Sequence, residues 1–140
     1  MSNNLDDVRI RQAILTDLDK LQDFITPFVE QNKILPRTVD ELNLLAHSGF
    51  VALKGDELIG FAALEIYSPK LAEIRSLVVQ DEWQGIGVGK KLVQSCVDMA
   101  RNKNILEVMV VTASDDFFQS CGFDYTLPGQ KKALFMQTRE

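Results

Sequence analysis

The sequence predicts a mixed α/β or α+β fold: one central, mostly antiparallel sheet with helices on both faces. Three observations predict it. Segments of alternating apolar and polar residues are interleaved along the chain with segments of helical period. Phe50 to Val79 reads as a three-strand meander joined by short turns. Ile105 to Val111 is a nearly continuous apolar run, as expected of a central strand covered on both faces. With 140 residues, 46% of them hydrophobic, the chain suits one domain over residues 1–140 with a continuous core.

Val8 to Ala13 alternates and predicts a first strand. Thr16, three residues before Asp19, resembles a capping box, and Leu18, Leu21, Ile25, Phe28 and Val29 then form one apolar helical stripe. Asn32 to Pro36 breaks that pattern. Thr38 and Glu41 repeat the capping pattern ahead of a short helix carrying Leu42 and Leu45. Phe50 to Leu53, the turn Lys54–Glu57, Leu58 to Ile66, the turn Ser68–Lys70 and Leu71 to Val79 make the meander. Val88, Leu92, Val93, Cys96, Val97 and Ala100 mark a long amphipathic helix, which ends in the basic and polar run Arg101–Asn104. Ser114 caps a short helix that stops at Gly122, and Lys131 to Gln137 predicts a last strand after a turn at Pro128-Gly129.

Charge and composition exclude several functions. The net charge is -5, and Lys90-Lys91 and Lys131-Lys132 are the only basic doublets, so no basic face offers itself to nucleic acid. No apolar run approaches the length of a membrane span, and the polar, acidic start is unlike a signal peptide. Cys96 and Cys121 are expected as reduced thiols in a cytoplasmic protein. His47 stands alone, so no metal site is signalled.

The most informative segment is Gln84-Gly85-Ile86-Gly87-Val88-Gly89, between the third meander strand and the long helix. Glycines let a ligand approach the backbone closely, and a helix N-terminus adds free N–H donors, a combination that suits a phosphate or pyrophosphate. A Walker loop is excluded, because Gln84 and Lys91 fill positions that require Gly and Ser or Thr. The spacing is also wrong for a dinucleotide fingerprint, and Gln80 to Gln84 separate the loop from its strand. The remaining alternative is a flexible turn ahead of a helix.

The strand Leu71-Ala72-Glu73-Ile74-Arg75-Ser76-Leu77-Val78-Val79 followed by this loop resembles the GNAT superfamily of acetyl-CoA-dependent N-acetyltransferases. Gln84, Gly87 and Gly89 stand at the key positions of its (Q/R)-x-x-G-x-(G/A) motif. Phe117-Phe118-Gln119-Ser120-Cys121-Gly122-Phe123 resembles its aromatic-x-x-x-Gly-Phe segment, and the element order agrees from about Val8 onward.

The resemblance implies acetyl transfer to a primary amine by direct attack in a ternary complex, with acetyl-CoA as cosubstrate and no metal. It implies that the strand at Leu77, Val78 and Val79 splays from its neighbour and offers backbone groups to the pantetheine arm. The backbone of Gln84, Gly85, Ile86, Gly87, Val88 and Gly89, with Lys90, would hold the pyrophosphate. Glu73 matches a glutamate that many relatives use as general base through a water; an edge salt bridge to Arg75 is the alternative. Phe118 lines the cofactor site where many relatives carry the tyrosine that protonates the leaving thiolate. Phenylalanine cannot do so, which leaves unassisted departure or help from Ser114, Cys121 or Tyr125.

Ile34-Leu35-Pro36-Arg37-Thr38 and the ending Leu127 to Leu134 resemble amino-acid acetyltransferases of the N-acetylglutamate synthase type. That resemblance implies that Arg37 grips a substrate carboxylate; a solvated loop cation is the alternative. The second arginine of that group corresponds to Ala113. A protein N-terminus or lysine is an alternative acceptor, and a non-catalytic acetyl-CoA sensor or assembly module is the reading from another class. A homodimer through an added sheet edge or paired helices stays open.

Overall fold

The computed structural model describes residues 3–126, 129 and 132–138. Five strands form one sheet in chain order: β1 (Arg9–Gln12), β2 (Gly49–Lys54), β3 (Glu57–Ser68), β4 (Leu71–Val79) and β5 (Glu107–Met109). The first four pair antiparallel and β5 runs parallel to β4. Helices α1 (Leu18–Glu30), α2 (Val39–Ala46), α3 (Val88–Asn102) and α4 (Asp115–Ser120) complete the chain. The expected mixed, mostly antiparallel sheet is therefore present.

Side-chain alternation along the sheet distributes the core over two faces. Ala52, Ile59, Ala62 and Leu64 pack with the α3 stripe Val88, Leu92, Val93, Cys96 and Ala100 on one face. Val51, Leu53, Phe61 and Ala63 pack with Leu21, Ile25 and Phe28 of α1 and Leu42 and Leu45 of α2 on the other. Cys96 and Cys121 are free thiols, and burial pushes the Cys96 thiol up to about 12. Among the described residues, no helix is long and apolar enough to cross a membrane.

The Thr38–Glu41 capping box forms as expected: Glu41 N–H donates to Thr38 Oγ1 at 3.1 Å, and Thr38 N–H donates to Glu41 Oε1 at 3.2 Å. The start of α1 differs. A 3-10 turn at Leu15–Asp17 precedes it, and the N-cap position falls on Asp17, not Thr16, with no side-chain cap on α1 itself. The Asp17 carboxylate accepts from Ile14 N–H at 2.8 Å and from both Arg11 terminal nitrogens at 2.8 and 3.0 Å. The bidentate Arg11 holds the Asp17 carboxyl below the usual range, a stronger restraint than a hydroxyl cap.

Two expectations fail at the C-terminal end. Only Glu107–Met109 of the apolar run forms a strand, and it lies at the sheet edge, not its centre, with Leu106 74% and Val111 62% exposed. The described part of the expected last strand, residues 132–137, is not in a strand. Among the described residues no further strand lies beside β5, which is paired with β4 alone. Pro128, Gln130 and Lys131 lie outside the described residues.

Candidate functional site

The β4–β5 pairing covers only Leu71–Glu107, Ala72–Val108 and Glu73–Met109. From Ile74 onward β4 is therefore paired on its β3 side alone. Its β3 register also slips: Phe61 opposes Val78 but Ala63 opposes Arg75, so Ala62 faces both Ser76 and Leu77 in a bulge. Ser76 sits there at φ 58, a left-handed conformation that costs a non-glycine residue about 1–2 kcal/mol. The open edge, lined by Ile74 to Val79, borders a cleft of about 1180 Å³. The glycine loop, the Lys33–Arg37 segment and the wall from Val111 to Phe118 enclose the rest.

At one end the cleft is built from main chain. Gly85 (φ 81) and Gly87 (φ 105) hold positive φ angles that side chains rarely adopt. Gly87 is the N-cap of α3, whose first turn has neither a side-chain cap nor an acidic residue. The first N–H groups of a helix have no partner within the helix, so this end is electropositive through its backbone. Lys90 adds a cation to the same lining. Gln84 lines the cleft, but its side chain ties the loop to the strand end, donating to the Val79 carbonyl at 2.9 Å and to Asp81 Oδ1 at 3.2 Å. Val88 is buried in the core and Ile86 packs against it, so either would reach a ligand through main chain. A Cβ at Gly89 would come within 3.3 Å of the Phe117 ring, which explains the small residue there.

The other end is built from side chains. Glu73 is 8% exposed and lines the cleft. Tyr67 Oη donates to Glu73 Oε1 at 2.6 Å and stands 3.1 Å from Glu65 Oε2. Arg75 Nη1 reaches Glu65 Oε2 at 3.0 Å and Glu73 Oε1 at 3.5 Å. The expected Arg75 pair thus exists, within a four-residue network. Burial, then the bond to Glu73, pushes the Tyr67 phenol up to about 12, so it stays a donor at neutral pH. Arg37 also lines the cleft. Its side chain is only 10% exposed, so it is not a solvated cation. Its Nη1 lies 3.7 Å from Glu41 Oε2, and its Nε is buried with no hydrogen-bond partner.

Phe118 lies in the far wall, buried and edge-to-face with Phe117 and Phe123 at 5.0 and 5.6 Å. Of the three groups considered in its place as proton donor, Ser114 lines the cleft, whereas Cys121 and Tyr125 do not. The Tyr125 hydroxyl bonds instead to Asp115. Ala113 lines the wall as well.

Tyr67 was invisible to motif reasoning. It is the unopposed residue of a second bulge, between Ile66–Ala72 and Ser68–Leu71. Its signal was weak but present: two-residue alternation puts it on the face of Glu65, which pairs with Glu73 across the turn.

Residues 15–123 match the model of the acetyltransferase (GNAT) family. An uncharacterized N-acetyltransferase of Chlorobaculum tepidum is 31% identical over 117 residues, covering 84% of this chain and 76% of that protein. An amino-acid acetyltransferase of Vibrio cholerae is 28% identical over 94% of this chain, which spans only 31% of that longer protein. A Mycobacterium tuberculosis structure in complex with CoA superposes with a TM-score of 0.76 at 25% identity, covering 89% of this chain and 76% of its own. N-acetylglutamate synthase of Neisseria gonorrhoeae, in complex with coenzyme A and N-acetyl-glutamate, gives a TM-score of 0.72 at 26% identity. That match covers 81% of this chain and 27% of the synthase.

Proposed function

The chain belongs to the acetyltransferase (GNAT) family, and from that membership we propose that it acetylates the primary amine of a small, carboxylate-bearing acceptor such as an amino acid. One observation carries the proposal. A single cleft is lined by the uncapped N-terminus of α3, the unpaired edge of β4, Glu73 and Arg37.

Acetyl-CoA supplies the acetyl group as a thioester, and the residues present fit it. The free N–H groups of the first α3 turn and Lys90 suit a pyrophosphate, while the open backbone at Gly85 leaves room for close approach. The β4 edge from Leu77 to Val79 presents main-chain groups to the arm, and a β4 N–H there polarises the thioester oxygen as charge builds on it.

Glu73 takes a proton from the acceptor ammonium through a water, because an ammonium has no lone pair with which to attack. The N–C bond then forms as the C–S bond breaks, and the second ammonium proton passes from the new amide nitrogen to the departing thiolate or to solvent. Phe118 offers no proton to the departing sulfur. A thiolate whose acid has a pKa of about 8.5 is a tolerable leaving group without one. Arg37, which lines the cleft, grips the acceptor carboxylate, and this favours an amino acid over a simple amine.

The test is free-thiol release from acetyl-CoA over a panel of amino acids, polyamines and basic peptides, with Glu73→Gln as control. Release with amino acids and a fall of about 100-fold or more in the control is the expected result. Release only with basic peptides would move the acceptor to protein amines. Binding without turnover on any acceptor would make the protein a sensor of acetyl-CoA.

A further inference from the structure

We infer that Tyr67 is a positioning residue for the reaction: its hydroxyl holds Glu73 through Oε1 and leaves Oε2 as the oxygen open to the acceptor amine or its water. The inference rests on Glu73 as the base.

A phenol has one proton, and two carboxylates lie within reach of it. The distances decide which receives it, 2.6 Å to Glu73 Oε1 against 3.1 Å to Glu65 Oε2. Glu65 does not need it, because Arg75 Nη1 donates to the same Oε2 at 3.0 Å. Arg75 also stands 3.5 Å from Glu73 Oε1, on the same oxygen that Tyr67 holds. Both partners of Glu73 thus converge on Oε1. Among the described residues no hydrogen bond reaches Oε2, and Glu73 lines the cleft although it is buried. A carboxylate free to rotate would present either oxygen. Clamped on one, it presents the other at a fixed height above β4, which is what a general base needs.

The bulge at Tyr67 makes this possible. Ile66 opposes Ala72 and Ser68 opposes Leu71, so Tyr67 has no residue across from it and leans along the strand pair towards Glu73. Tyr67 lies outside the glycine loop, so its replacement is expected to leave acetyl-CoA affinity unchanged.

A kinetic cycle of Tyr67→Phe, Glu73→Gln and the double variant tests this, with thiol release as readout. Tyr67→Phe is expected to lower kcat about tenfold, the loss of one hydrogen bond to a charged group, with both KM values within about twofold. In the Glu73→Gln background the same change is expected to do nothing further. Unchanged kcat in Tyr67→Phe, or an equal loss in both backgrounds, would overturn the positioning role while leaving Glu73 as base. Full activity in Glu73→Gln would instead remove the base, and this inference with it. Glu65→Gln is the second variant. It removes no donor from Glu73 and is expected to lower kcat by less than Tyr67→Phe does; a loss matching that of Tyr67→Phe would overturn the role of the hydroxyl.

Discussion

The two ends of the cleft are built differently. The glycine-loop end works with amide groups, set by Gly85 and Gly87 in left-handed conformations and by a helix start that lacks a side-chain cap. The Glu73 end works with side chains, four of which restrain one another through hydrogen bonds and ion pairs. A main-chain site depends on conformation and tolerates exchange of most side chains around it. A side-chain site depends on identity, and one altered atom changes it.

That contrast can be broken from either end. Gly87→Val has the largest expected effect. It forces a β-branched residue to φ 105 with its Cβ 3.2 Å from the Leu5 side chain. At about 1–3 kcal/mol for such strain, the KM for acetyl-CoA should rise on the order of 10- to 100-fold with acceptor KM little changed. Steady-state kinetics with each substrate varied would show it, and equal effects on both KM values would break the division. Arg37→Ala is expected to do the reverse on a smaller scale: acceptor KM up about tenfold, acetyl-CoA KM steady. Kinetics on a decarboxylated acceptor sharpen this, since there the substitution should cost little.

The smallest effect separates the ends by pH. The Tyr67 phenol is raised from 10.0 to about 12 by burial and its bond to Glu73, so the folded protein favours its protonated form. Its contribution to stability is complete below the unfolded value near 10 and is lost as pH rises through about 12. Ultraviolet titration comparing the protein with Tyr67→Phe should find this phenol ionising near 12, while the glycine-loop end, lacking a tyrosine, shows no matching change. Ionisation near 10 would mean that neither the burial of this phenol nor its bond to Glu73 holds in solution.

The sequence disclosed these regions unequally, for physical reasons. Glycine spacing ahead of an amphipathic stripe is local information, so the loop and α3 were legible as a unit. The Thr38–Glu41 box was legible for the same reason. Glu73 and Arg75, two apart on one strand, were legible as a pair. Tyr67 was not, because its partnership runs through a bulge that no periodicity marks. Asp17 displaced Thr16 at the start of α1 because its partner Arg11 sits on another element. The run Ile105–Val111 misled most. Hydrophobicity announces a strand but not what lies beside it, and here the sheet ends with β5 and leaves Leu106 and Val111 exposed. Arg37 in turn looked like a loop cation until the fold buried it.

The edge of β4 between Val79 and Glu73 has one more consequence, a matter of length. An extended strand advances about 3.3 Å per residue, so the six steps between them span about 20 Å at most. That interval separates the loop end of the cleft from its carboxylate, and it is fixed by hydrogen bonding to β3. The strand therefore acts as a ruler. On the proposed function, a carrier anchored at the glycine loop would bring its reactive atom level with Glu73 only if its arm matched the measure. One residue inserted into β4 would shift the mark by about 3.3 Å, well beyond the ångström-scale misplacement that already costs a reaction about 100-fold.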